Sequence, residues 1–119
     1  MYTYYVFPRY LYGGKNKSKV AWYNKGIALF NLKRHEEALK AFDKCIEINP
    51  KLAGAWNNKG TALSKLGRYE DILLAYGKAN EIDPKIAAVW YNKGVALINL
   101  GRYGEAKNSL KEHLNQIQH

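Results

Sequence analysis

Cysteine is nearly missing from this chain of 119 residues: Cys45 stands alone, so no internal disulfide can form. A single cysteine neither requires nor excludes an oxidising compartment, and a reduced cytoplasm is the setting it fits best. No run approaches the ~20 apolar residues that a membrane-spanning helix needs, so no membrane association is expected. Pro8 and Arg9 interrupt the start of the chain where a secretory leader needs continuous apolar residues, so no signal peptide is expected. Acidic residues are few, ten against nineteen Lys and Arg, which leaves a formal charge of +9. That excess permits anionic partners without identifying one. With 47% hydrophobic and 24% charged residues, the composition is that of a globular chain rather than a disordered one. Its short length limits the core it can bury.

Reactive groupings are absent too. There is no glycine-rich phosphate loop and no zinc-ligand spacing. His35, His113 and His119 have no Cys or carboxylate at ligand spacing, so neither a metal nor any other cofactor is expected. His35 stands where the other copies described below have Tyr69 and Tyr103, so it reads as a packing residue, and Cys45 and His113 take small-residue packing positions. Glu36-Glu37 and Glu70-Asp71 sit where second helices would open, and negative charge there suits the helix dipole better than acid–base chemistry. These absences argue against an enzyme. No stretch within 19–119 alternates with period two, so no sheet is expected.

What is present is repetition. Trp22, Trp56 and Trp90 lie 34 residues apart, inside the phrases Trp22-Tyr23-Asn24-Lys25-Gly26, Trp56-Asn57-Asn58-Lys59-Gly60 and Trp90-Tyr91-Asn92-Lys93-Gly94. Residues 19–52 and 53–86 agree at 17 of 34 positions, too many for coincidence at a fixed offset. The third copy, 87–119, is one residue short and lacks the closing proline. Each copy reads as two helices. Ala21, Trp22, Gly26, Leu29 and Leu32 form one helical stripe; Ala38, Ala41, Phe42, Cys45, Ile46 and Ile48 form the next. Gly67 and Gly101 suit the left-handed residue that ends a helix, and Asn49-Pro50 and Asp83-Pro84 close the copies. The predicted helices are 20–32, 36–48, 54–66, 70–82, 88–100 and 104–117.

The repeat resembles the tetratricopeptide repeat (TPR). The family's Trp, Leu, Gly, Tyr, Ala, Phe, Ala and Pro pattern is met in the first copy by Trp22, Lys25, Gly26, Leu29, Ala38, Phe42, Cys45 and Pro50. In the second it is met by Trp56, Lys59, Gly60, Leu63, Ile72, Tyr76, Ala79 and Pro84. In the third it is met by Trp90, Lys93, Gly94, Leu97, Ala106, Leu110 and His113. The resemblance implies an all-α fold, a right-handed solenoid of three helical hairpins over 19–119. Lys25, Lys59 and Lys93 depart from the pattern, each with a stem able to lie on apolar surface. Ile72 replaces a small Ala; it is expected to spread the helices slightly or to be absorbed by neighbours such as Gly77. Gly77 itself costs about 1 kcal/mol against Ala in a helix, which makes the second copy the softest.

A stacked array of this kind has a concave surface, which in the family is lined by the first helix of each repeat. The residues so implied as a peptide groove are Tyr23, Asn24, Ile27, Asn57, Asn58, Thr61, Tyr91, Asn92 and Val95. Asn24, Asn58 and Asn92 form a ladder whose amides suit an extended backbone, or else they solvate a helix face and order their neighbours. Tyr23 and Tyr91 offer contact area at low entropic cost. Chaperone-cofactor TPRs clamp a C-terminal carboxylate with Lys, Asn, Asn, Lys and Arg; the matching positions here are Tyr23, Ile27, Asn58, Ala88 and Asn92, so no such clamp is expected.

The expected function is therefore a non-catalytic module binding a protein or peptide partner, as adaptor or assembly scaffold. A stacking segment of a larger array is the alternative, and nucleic-acid binding is less favoured because Lys33-Arg34, Lys51, Lys65, Arg68, Lys85 and Arg102 form no stripe. There is no solvating helix after 104–117, so Leu110, Leu114 and Ile117 are expected on an outward face that drives self-association, with a two-fold dimer as the default. Residues 1–18 fall outside the repeats. Five Tyr and one Phe crowd the first twelve residues. That extension is either frayed or an aromatic segment docked on apolar surface, with Gly13-Gly14 as hinge.

Overall fold

A computed structural model describes residues 15–118. Six helices and no strand occur among them: α1 (Lys15–Asn31), α2 (His35–Ile48), α3 (Ala53–Lys65), α4 (Tyr69–Ile82), α5 (Ala87–Asn99) and α6 (Tyr103–Ile117). The sequence-based helices agree to within about a residue at every boundary except one. α1 begins at Lys15, so Lys15–Ser18 of the expected extension continue the helix. Nothing in Lys-Asn-Lys-Ser breaks a helix, which leaves Gly14 as the nearest stop signal in the sequence. The aromatic residues of the extension, and the docking role suggested for them, lie outside the described residues.

The turn inside each hairpin is the same device three times. The second residue past the first helix is left-handed: Lys33 at φ 63°, Gly67 at φ 72° and Gly101 at φ 75°. Arg34, Arg68 and Arg102 then donate their backbone N–H to the carbonyls of Leu29, Leu63 and Leu97 at 2.9, 3.0 and 2.8 Å. These bonds satisfy carbonyls that the helix end leaves orphaned. Each of these arginines also reaches an acid three residues on. Arg34 and Arg102 make two bonds apiece to Glu37 and Glu105, at 2.6–2.8 Å. Asp71 is one methylene shorter, and Arg68 stands 3.8 Å from it while also reaching Glu36 of the first repeat at 3.3 Å.

The joint between repeats is pinned by tryptophan. The indole Nε1 of Trp56 donates to the Pro50 carbonyl at 2.8 Å, and Trp90 does the same to Pro84 at 2.7 Å. Pro50 and Pro84 follow the ends of the second helices, in turns closed by the Lys51 and Lys85 N–H donating to Asn49 Oδ1 and Asp83 Oδ1. So the closing Pro of one copy and the Trp of the next are two halves of one contact, made at both joints.

Within each hairpin the helices meet at glycine. A Cβ at Gly26 would lie 2.5 Å from the Phe42 ring, one at Gly60 2.5 Å from Tyr76, and one at Gly94 2.8 Å from Leu110. Leu110 is therefore the third copy's inward-facing residue, equivalent to Phe42 and Tyr76. That takes it off the outward face expected with Leu114 and Ile117, because its side of α6 is turned to α5. Ile72 is fully buried among Leu63, Ala75, Tyr76, Ala79 and Val89. Gly77 does not accommodate it: a Cβ there would meet nothing within 4 Å, so this glycine faces open space.

Candidate functional site

α1 touches α3 and α3 touches α5, while α2, α4 and α6 make no comparable contacts with one another. The row α1–α3–α5 is thus the closer-packed, inner side of the stack. The sequence-derived groove residues all belong to this row, and neighbouring helices join several of them. Asn58 Nδ2 donates to the Tyr23 hydroxyl at 3.1 Å, and Asn92 Nδ2 donates to Asn57 Oδ1 at 3.2 Å. The asparagine ladder is therefore built into the stack itself: Asn58 and Asn92 each bond the residue one place earlier on the preceding repeat. Gly54 makes room for this, since a Cβ there would stand 3.0 Å from the Tyr23 hydroxyl.

Between α1 and α3 the row opens into a pocket of about 240 Å3 lined by Ile27, Phe30, Asn31, Phe42, Asn58 and Thr61. Phe42 comes from α2 and closes the floor. Thr61 is held from two sides, donating to the Asn57 carbonyl at 3.1 Å and bonded to the Tyr76 hydroxyl at 3.0 Å. Burial pushes the Tyr76 phenol above its usual range, so it stays neutral there. Asn24, Tyr91 and Val95 are exposed further along the row and do not line the pocket.

Reading the chain as a sequence missed two features. Lys25, Lys59 and Lys93 lie over the Trp22, Trp56 and Trp90 rings, with Nζ 5.1, 5.4 and 5.7 Å from the centroids. Lys59 also pairs with Asp43 at 2.8 Å. The unvarying three-residue step from Trp to Lys is the signal that held this ladder. His113 is more than packing: its Nδ1 bonds the Ala87 carbonyl at 2.9 Å and its ring lies 5.4 Å from Tyr91. His35 does pack, edge-on to Phe30 at 4.9 Å. Cys45 is fully buried, and desolvation raises its thiol pKa, so it is a poor nucleophile. Among the described residues no cluster of His, Cys, Asp and Glu is suited to a metal, and no helix is long and apolar enough to cross a membrane.

Tetratricopeptide repeat models match residues 20–52, 41–73 and 75–108. The chain belongs to the tetratricopeptide repeat family. Among solved structures, this TPR domain is similar to MamA, with 22% identity and a TM-score of 0.82 over 92% of this chain and 72% of that one. It is similar to the second TPR of Spaghetti (RPAP3), solved bound to the HSP90 peptide SRMEEVD, with 20% identity and a TM-score of 0.84 over 90% of this chain and 98% of that one. The TPR2B domain of yeast Sti1, solved as a pHsp70 complex, shares 24% identity with a TM-score of 0.82 over 83% of this chain and 79% of that one. At these identities the likeness establishes the fold. No curated protein matches the chain at a significant level.

Proposed function

We propose that this TPR domain is a non-catalytic interaction module that binds a peptide segment of a partner protein along α1–α3–α5, as an adaptor or assembly scaffold. The observation that carries the reading is the pocket between α1 and α3, with apolar walls from Ile27, Phe30 and Phe42 and polar groups from Asn31, Asn58 and Thr61. At about 240 Å3 it falls below the roughly 300 Å3 at which small-molecule sites begin, and it suits an anchoring side chain of a larger ligand. Asn and Thr beside it offer both donors and acceptors for a peptide backbone. The Spaghetti and Sti1 structures, which hold HSP90 and Hsp70 peptides, support the ligand class.

The ligand differs from SRMEEVD in charge. Tyr23, Ile27, Asn58, Ala88 and Asn92 carry no cation, so a terminal carboxylate would be desolvated without a charged partner. An uncharged segment with one apolar anchor is the matching chemistry. A cytoplasmic setting fits the single, buried, reduced thiol. The test is to select binders from a displayed peptide library and titrate them against the protein and an Ile27→Lys, Asn31→Ala variant. The expected result is saturable binding that the variant loses and that SRMEEVD does not reproduce. Selected peptides that bind both proteins equally would remove the groove from the account.

A further inference from the structure

Comparing equivalent positions across the three repeats shows which side chains each repeat lends to its neighbours. Ala21 and Ala28 of α1 and Leu32 just past its end are exposed, Leu32 at 65%. Their equivalents Ala55 and Ala62 in α3, and Val89 and Ala96 in α5, are buried against the repeat before. At the other end Leu114 of α6 is 52% exposed, whereas its equivalent Ile46 is buried in a cluster with Ala55 of the repeat after, and its equivalent Asn80 is buried as well. Ile98 of α5 is 42% exposed, while its equivalent Phe30 packs into the cluster holding Ala62 and Leu66 of the next repeat. The two ends of the stack therefore display the two halves of the joint that already occurs twice inside it.

We propose that the exposed face of α5–α6 receives α1 of a second copy of this chain, so that copies join head to tail and the solenoid continues from one molecule into the next. Leu114 takes the place of Ile46 against Ala21, and Ile98 takes the place of Phe30 against Ala28 and Leu32. The joint is heterologous, unlike the two-fold dimer expected by default, and it leaves a free half at each end for further addition. It is also weaker than the internal joints. Lys107 replaces the apolar Leu39 and Leu73, and Val20 stands where Gly54 leaves room for the Tyr23 hydroxyl, so Tyr91 has to turn aside. No covalent link raises the local concentration of the second copy. Association is accordingly reversible and rises with protein concentration.

The proposal stands apart from the groove reading, and its test uses residues outside the pocket. One full-length variant blocks the α5–α6 face with Leu114→Glu and Ile117→Glu; another blocks the α1 face with Ala28→Glu and Leu32→Glu. All four positions are exposed, and circular dichroism verifies that helix content is retained. Light scattering then gives masses for the unaltered chain, each variant and their equal mixture. The unaltered chain is expected to rise above its 13.6 kDa with concentration. Each variant alone should stay at one chain, and the mixture should reach two chains and stop, since it holds one intact joint. An α1-face variant that still dimerises alone, an unaltered chain that stays single throughout, or a mixture that stays single while the unaltered chain associates would each overturn the proposal.

Discussion

The hydroxyl of Tyr23 accepts the side-chain amide of Asn58, 35 residues away, at 3.1 Å. A groove residue of one repeat is thus positioned by a groove residue of the one before. The asparagine ladder has a structural duty before any ligand arrives, and Asn58 meets the pocket with one end of its amide already engaged.

That bond is measurable. Tyr23→Phe removes the acceptor and keeps the ring, and about 1 kcal/mol of stability should be lost, the usual net worth of such a bond. A double-mutant cycle with Asn58→Ala in urea denaturation isolates the pair. A coupling indistinguishable from zero would mean that the bond does not form in solution.

Two glycines should respond oppositely to the same change. Gly60→Ala drives a Cβ to within 2.5 Å of the Tyr76 ring, and overpacking of this kind costs about 1–3 kcal/mol. Gly77→Ala meets nothing within 4 Å and should stabilise α4 by about 1 kcal/mol through helix propensity. Denaturant midpoints of the two variants should move in opposite directions.

Lys33 holds the left-handed position that Gly67 and Gly101 hold elsewhere, at φ 63°. Lys33→Gly should relieve roughly 1 kcal/mol of backbone strain and raise the melting temperature, while Gly67→Ala should lower it by a similar free energy. An unchanged or lowered melting temperature for Lys33→Gly would contradict the strain argument.

Acid should erase one contribution. The Arg102 guanidinium bonded to Glu105 holds that carboxyl below its usual range. The folded pKa then lies below the unfolded one, so the stabilisation is present above the ordinary carboxylate range, about pH 4.3, and is lost as pH falls through the folded value. Glu105→Gln should therefore be less stable than the parent at neutral pH and equal to it in strong acid, by paired thermal melts. Tyr76 runs the other way. Burial raises its pKa, so its contribution is complete below about pH 10 and is lost as pH rises through the folded value; Tyr76→Phe should resist alkaline unfolding better.

Much of the fold was legible from the chain alone, because the features that set it are local and occur more than once. Trp56 and Pro50 recur at fixed spacing, and so do the turn glycines Gly67 and Gly101. Their meaning needed the third dimension: the spacing marks Trp and Pro as paired, but only the structure shows the indole bonding the proline carbonyl. Leu110, Leu114 and Ile117 share a helical stripe in sequence. A stripe has width, and α5 covers its Leu110 edge while leaving the other two exposed. Ile27, Asn58 and Thr61 are groove residues legible in the sequence, yet the pocket is also lined by Phe42 from another helix. No periodicity within one helix reports what a neighbour inserts.

By itself the sequence determined six helices, their pairing into hairpins and the register of three repeats, since apolar stripes, turn residues and close-approach glycines act over a few residues or one helix contact. Only the tertiary structure decided which asparagine bonds which neighbour and which faces stay uncovered. Those outcomes depend on how one repeat sits on the next, and stacking geometry joins residues 35 positions apart whose side chains carry no local sign of each other.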